Sequence, residues 1–342
     1  MENKKLISFA VPCYNSSAYM DKCINSLLKA GEEAEILIVN DGSTKDNTAE
    51  IADRYASEYP SIIKAIHKEN GGHGDAVTVG IKNATGKYFK VVDSDDWADE
   101  DALFKLMSLI RSFDDQTAPD AIIGNYVYEH VEDNTQKFVN YRKEFPVGRI
   151  FNFEESKSFE VGKFIAMHSL FYKTEILKEM NFELPKHTFY VDNVFICKPL
   201  MKVKTFYYLD VDFYRYFIGR ADQSVAEDVI MKRIDQHIRV TKILIDECDI
   251  NSIMKTSPKL YKYLLSHISI LMTINSIYLI KINTKESFEK KKALWADFKQ
   301  KDIVSYKKCR RKFVGLAGSN NKLVCKFCMF VYVIVRKIFK FN

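Results

Sequence analysis

From residue 6 onward the chain alternates short apolar runs with amphipathic stretches. Residues 6–11, 35–39, 62–67 and 87–92 read as strands, and roughly 17–30, 46–58 and 73–84 between them as helices. This alternation predicts right-handed crossovers and a Rossmann-like, doubly wound, mostly parallel sheet with helices on both faces, an α/β fold class. After residue 120 the rhythm loosens. Strands are expected at 121–128, 138–141, 170–172, 205–209 and 212–217, and helices near 154–161, 174–180 and 191–201. From 226 the pattern is helical, over 226–248, 258–281, 286–299 and 321–340, with 251–258 as the expected linker.

Open parallel sheets bind ligands at the carboxyl ends of their strands, so the residues that follow each strand carry the chemistry. They are Pro12-Cys-Tyr-Asn15, Asn40-Asp-Gly-Ser-Thr44, Lys68-Glu-Asn-Gly-Gly-His-Gly-Asp75 and Asp93-Ser-Asp-Asp-Trp97. Ser43 or Thr44 is placed to cap the second helix, and Asp99 the helix expected at 100–113. Asp93, Asp95 and Asp96 put three carboxylates within four residues. Such crowding is stable only beside a cation or strong hydrogen-bond donors. Hard oxygen ligands point to Mg²⁺ or Mn²⁺ rather than zinc. Asp41, before Gly42, stands at the sheet edge where a base imide or ribose hydroxyl would meet it.

These residues resemble the donor-binding half of family 2 glycosyltransferases with the GT-A fold. The resemblance rests on Val11-Pro-Cys-Tyr-Asn15, Glu35-Ile-Leu-Ile-Val-Asn-Asp-Gly-Ser-Thr44, Asn83-Ala-Thr-Gly-Lys-Tyr88 and Val92-Asp-Ser-Asp-Asp-Trp97, in order along roughly residues 5–115. It implies an inverting transferase that takes a sugar from a nucleotide diphosphate, usually UDP, with a divalent metal held by a DxD motif. Carried over, Pro12, Tyr14 and Asn15 border the nucleotide, Asp41 contacts the base, and Asp93 and Asp95 are the DxD pair, Asp95 first among them as metal ligand. Asp192, in Tyr190-Val-Asp192-Asn193, stands where the family keeps its catalytic base, with Val191 in place of the usual Glu. Arg220, Gln223 and Ser224 fall in the segment similar to the family's loop over the diphosphate. Asp96, Trp97 and His168 are placed on the acceptor side. One departure is Ala76-Val-Thr78 where the family commonly has Ala-Arg-Asn. The run Gly71-Gly72-His73-Gly74 is expected to compensate through backbone N–H groups at a helix start, with Gly74 on the donor side. The Gln-x-x-Arg-Trp motif of processive synthases is absent from the sequence, which favours single transfer.

Charge divides the chain. Residues 251–342 carry 20 Lys/Arg against 4 Asp/Glu, a net of +16, whereas residues 1–250 carry 31 against 41, a net of −10. The basic tail suits an anionic membrane surface, and residues 321–341 read as an interfacial helix, too short in apolar length and too charged at Lys326 to span a bilayer. The run 258–281 is long and apolar, but its Ser, Thr, Asn and His residues favour a packed helix.

With 47% apolar residues, 13 Gly and 7 Pro, collagen-like and disordered readings are excluded. Seven scattered cysteines and no secretory h-region at the start lead to the expectation of free thiols and a cytoplasmic location. The organisation expected is a GT-A domain over 1–225, with donor half 1–115 and acceptor half 116–225, followed by a basic helical region over 226–342. The partners expected are a nucleotide-sugar donor, an acceptor hydroxyl on a cell-surface glycan or lipid-linked precursor, and the cytoplasmic face of the membrane, with no nucleic acid. The alternatives are a non-catalytic nucleotide-sugar-binding protein and a nucleotidyltransferase, although the latter's glycine-rich phosphate loop is missing after the first strand.

Overall fold

The computed structural model describes residues 4–130, 133–160, 162–219 and 227–339. Chain contacts divide it into two units, one of Met1–Ser158 with Ile165–Arg220 and the other of Phe159–Phe164 with Ala221–Asn342.

The first unit opens with β1 (Ile7–Cys13), α1 (Met20–Leu28), β2 (Ala34–Asp41), α2 (Thr48–Glu58), β3 (Ile63–Lys68), α3 (His73–Asn83) and β4 (Tyr88–Val91). Each lies within a few residues of its expected position. All seven residues of β1 are buried, as befits a central strand covered on both faces. It pairs in parallel with β2 and β4, and β2 with β3. Helix α1 turns Met20, Cys23, Ile24 and Leu27 inward at helical spacing. Gly86 explains the tight Ala-Thr-Gly turn before β4, because a Cβ there would lie 2.4 Å from the carbonyl carbon of Ile7 in β1.

Beyond β4 come β5 (Trp97–Ala98), α4 (Glu100–Ser112), β6 (Ala121–Ile123), β7 (Tyr126–His130), β8 (Thr135–Val139), β9 (Ile150–Phe151), β10 (Leu170–Lys173), α5 (Thr174–Glu179), α6 (Asp192–Leu200), β11 (Phe206–Tyr208) and β12 (Tyr214–Ile218). The main sheet runs β3-β2-β1-β4-β10-β6-β11-β9, and a second sheet runs β5-β12-β7-β8. Strand β10 is antiparallel to both its neighbours, so the sheet is mixed.

Several sequence expectations are corrected here. The single strand expected over 121–128 is two strands in different sheets, broken at Gly124-Asn125. The Asn125 amide donates to Asp210 and Asp212 and its oxygen accepts from the Tyr208 hydroxyl, which pins the chain where it changes sheet. The helix near 154–161 is one 3₁₀ turn, Phe153–Glu155, held by an Asn152–Glu155 capping box. Neither Ser43 nor Thr44 caps α2, which starts after Asn47. Asp99 does cap α4, accepting from Ala102 N–H at 3.0 Å.

The second unit is helical: α7 (Glu227–Lys232), α8 (Ile234–Glu247), α9 (Pro258–Ile282), α10 (Lys285–Lys301), α11 (Ile303–Arg310), α12 (Phe313–Ala317) and α13 (Lys322–Phe339). The helix expected over 226–248 is broken at Arg233, and α11 and α12 went unread. Residues 251–258 lie inside this unit. Helix α9 is long and apolar enough to cross a membrane, yet 67% of its most apolar window is buried in the protein. Its polar residues have internal partners: Asn275 bridges His237 and Thr241, and the Trp295 indole donates to Ser276. All seven cysteines are buried free thiols.

Candidate active site

The loops after β1 and β2 are stitched together. Asn15, at φ 50°, accepts from the N–H groups of Thr44 and Lys45 and donates its own N–H to the Ser43 hydroxyl. Pro12 is buried in β1, while Tyr14 presents an exposed ring at the strand's end.

Asp41 ends β2 with a buried carboxylate whose acceptor sites are all used. Oδ1 takes Lys68 Nζ and the Gly71 N–H at 2.9 Å, and Oδ2 takes the Asn70 amide at 3.1 Å and the Gly72 N–H at 2.7 Å. A carboxylate has about four lone-pair sites, so in this state Asp41 anchors the 68–72 loop. The expectation that the glycine run offers its N–H groups to a diphosphate is corrected for Gly71 and Gly72, which donate to Asp41. The same run packs against the segment leading to Asp192. Gly71 O accepts from His187 N–H at 2.6 Å, and a Cβ on Gly74 would meet Leu184 Cβ at 3.0 Å and Pro185 O at 3.1 Å.

Past β4 the acidic motif folds inward. The Tyr214 hydroxyl, carried by β12, accepts from Asp93 N–H at 3.1 Å and donates to Asp96 Oδ2, while Asp96 Oδ1 accepts from Phe217 N–H at 2.8 Å. Burial, reinforced by Asp93 and Asp95, pushes the Asp96 carboxyl well above its ordinary range. Burial opposes ionisation of Asp93 too, but the His73 ring 2.7 Å from Oδ1 holds its carboxyl down to about 2. The protein around His73 disfavours its charge, yet Asp93, with Asp192 and Asp95 further off, raises the imidazole above its usual range.

His168 is stacked on Tyr216, 4.7 Å between centroids, with Tyr214 on it at 4.5 Å. Burial pushes it down to about 4, which leaves a neutral ring at neutral pH. Asp93, Asp96 and His168 each offer one ligand atom, all within 4.8 Å of one another, and the buried His168 Nδ1 has no hydrogen-bond partner. Two carboxylate oxygens and one imidazole nitrogen fit Mn²⁺ better than Mg²⁺, which takes oxygen ligands. The cluster unites Asp93 with two residues assigned from sequence to the acceptor side. Asp95, half-buried, is not among its members. Trp97 lies under the Lys22 ammonium, 2.9 Å from its ring centroid.

Asp192 opens α6 after two residues in left-handed backbone, His187 at φ 47° and Tyr190 at φ 65°. Such conformations cost about 1–3 kcal/mol each and gather at functional sites. Asp192 keeps an exposed face. The protein packed about its carboxyl nevertheless raises it above the ordinary range, with Asp93 acting in the same direction and His73 against it. Asp192 thus lies within electrostatic reach of the hydrogen-bonded His73–Asp93 pair. Arg220, Gln223 and Ser224 lie outside the described residues.

Sequence reasoning missed Lys90. Fully buried on β4, its ammonium donates to the carbonyls of Met167 at 3.0 Å and His168 at 2.6 Å, and burial pulls it down to about 7 against the influence of Asp93 and Asp96. A lysine inside the apolar run Tyr88-Phe-Lys-Val-Val92 was the available signal. Tyr214 gave none, because its role depends on β12 crossing to the acidic loop.

The family model described as "Glycosyl transferase family 2" matches residues 8–178, half of the chain. The chain belongs to glycosyl transferase family 2. Among curated relatives, glycosyltransferase GlyG of Streptococcus pneumoniae is 32% identical over 203 residues, 55% of this chain and 65% of that protein. GlyA of the same organism is 31% identical over 199 residues, 53% of this chain and 26% of that protein. The chain therefore spans less than two thirds of either relative. Among solved structures, TarS 1–349 of S. aureus superposes with a TM-score of 0.68 at 19% identity, covering 96% of this chain and 91% of that one, and its complex with UDP-GlcNAc with 0.66 at 20%. At that identity the likeness establishes the fold, a GT-A core followed by a helical region. Family membership sets the nucleotidyltransferase alternative aside.

Proposed function

We propose that the protein is an inverting glycosyltransferase that moves a sugar from a UDP-sugar to a hydroxyl of a cell-surface glycan or its lipid-linked precursor. The observation that carries this reading is the grouping of Asp192, an exposed carboxylate at a helix start, with His73 and the Asp93-Asp96-His168 cluster. The TarS complexes with UDP-GlcNAc and UDP support the choice of nucleotide.

In this reading Asp192, ionised, accepts the proton of the acceptor hydroxyl as its oxygen attacks C1 opposite the diphosphate. Its raised pKa makes it a stronger base than an ordinary carboxylate. Asp93, Asp96 and His168 would hold a divalent cation, which would supply charge neutralisation for the departing diphosphate. His73 keeps Asp93 ionised for that task. The 184–188 segment, seated on Gly72 and Gly74, positions Asp192 relative to the donor loops.

Calorimetry of UDP against GDP, ADP and CMP, with and without Mn²⁺, tests the donor half. Metal-dependent UDP binding that is lost in Asp93→Asn is expected. Asp192→Asn keeps that binding while transfer from a UDP-sugar falls by about three orders of magnitude or more. Turnover retained in Asp192→Asn removes it as the base, and absence of any nucleotide binding defeats the donor assignment.

A further inference from the structure

Helix α13 is apolar on two opposite faces. One face packs into the second unit: Cys328 is fully buried with Ile277 and Ala317, and Val324, Met329 and Tyr332 pack around them. The other carries Leu323, Phe327, Phe330 and Ile334, at spacings of four, three and four residues. On a helix these form a single stripe, and they are 76, 53, 64 and 41% exposed. Phe313 and Leu316 of the preceding helix are exposed as well, at 42 and 44%. A contiguous apolar stripe of this kind on a surface helix marks a partner.

The charge around it selects that partner. Residues 303–342 contain ten Lys/Arg and no Asp/Glu. Of these, Arg336 is spent on Glu227 at 2.6 Å, Arg310 donates to the Gly315 carbonyl, and Lys308 lies over the Tyr261 ring. Lys322 and Lys326 are exposed on α13 itself, and Lys307, Arg311 and Lys312 are exposed before it. A second copy laid on the stripe would bring the same positive segment against it, with no carboxylate from this stretch to relieve the repulsion. A nucleic acid would satisfy the charges but leave the stripe in water. An anionic lipid surface satisfies both, since acyl chains take the apolar side chains and headgroups take the ammonium groups. We infer that the exposed face of α13 docks the protein in the plane of an anionic bilayer, with the helix lying on the membrane rather than crossing it.

The test is flotation of the full chain with phosphatidylcholine vesicles containing about one third phosphatidylglycerol, against phosphatidylcholine alone. Binding to the anionic vesicles is expected, weakening as salt shortens the Debye length. Phe327→Glu with Phe330→Glu should reduce binding by about a hundredfold or more, and Lys322→Glu with Lys326→Glu by about thirtyfold or more. Near-UV circular dichroism checks both variants. Should the aromatic pair misfold, the surface lysine pair decides alone. Failure of the wild type to float, equal salt-independent binding to both vesicle types, or a concentration-dependent dimer abolished by the aromatic pair would each overturn the inference, the last in favour of a second copy.

Discussion

Replacing Asp41 by Asn separates an anchoring role from a ligand-contacting one. The carboxylate receives two backbone N–H groups, an amide and an ammonium, two on each oxygen. An Asn side chain of the same shape keeps one acceptor oxygen and turns an NH₂ toward the other pair of donors. Whichever way the amide settles, one of the Gly71 and Gly72 N–H groups loses its partner. An unsatisfied buried donor costs about 1–3 kcal/mol, and loss of a bond to an ionised acceptor a similar amount. Lys68 and Asn70 soften the loss, because Lys68 also pairs with Asp75 at 2.7 Å and Asn70 also donates to the Asp41 carbonyl at 2.9 Å. The expected destabilisation is therefore about 2–4 kcal/mol, a large share of the 5–15 kcal/mol typical of a domain. The chain's two tryptophans fall one in each unit, Trp97 in the first and Trp295 in the second. Urea unfolding followed by Trp97 fluorescence in a Trp295→Phe background thus reports on the unit that holds the site. A lowered midpoint, with nucleotide affinity falling alongside, is expected. An unchanged midpoint with nucleotide binding abolished would refute the anchoring account and return Asp41 to direct contact with the base.

The raised Asp192 carboxyl must be ionised to act as base. Transfer should therefore decline about tenfold per pH unit on the acid side of a pKa above the ordinary Asp value of roughly 3.9, and a pH–rate profile that stays flat down to that value would contradict the assignment. Lys90 has a folded pKa of about 7 against 10.5 for the ordinary group. Between these values the unfolded chain holds the extra proton, so Lys90 makes unfolding free energy rise with pH by up to about 1.4 kcal/mol per unit. Lys90→Met should flatten the stability difference measured between pH 7 and 9. Gly74→Ala pushes a methyl group against Leu184 and Pro185. It should cost about 1–3 kcal/mol and lower the transfer rate more than UDP affinity, because the displaced segment leads to Asp192.

The donor half was legible because its information is local. Apolar runs with Pro12, Asn40-Asp41 and Asp93 at their ends mark strand boundaries to within a few residues, since a fully buried parallel strand needs a continuous apolar stretch and a polar exit. Asp99 as a cap followed from the same local logic. The region from 121 to 218 was harder to read. Its strands are mostly of two to five residues and belong to two sheets, and no periodicity distinguishes 121–123 from 126–130. The break at Asn125 depends on Asp210 and Asp212, more than eighty residues away.

At the site the division is the same. Residue types along the chain were enough to single out an acidic, metal-suited loop, an Asp at a helix start and a basic, apolar tail. Only the tertiary structure decided that Asp93 gathers with Asp96 and His168, that Asp41 is filled by its own loop, and that a buried lysine holds His168 in place. The physical reason is that charge, apolarity and capping are properties of single residues and short windows, whereas a carboxylate's partners are set by strands and loops that meet across the fold.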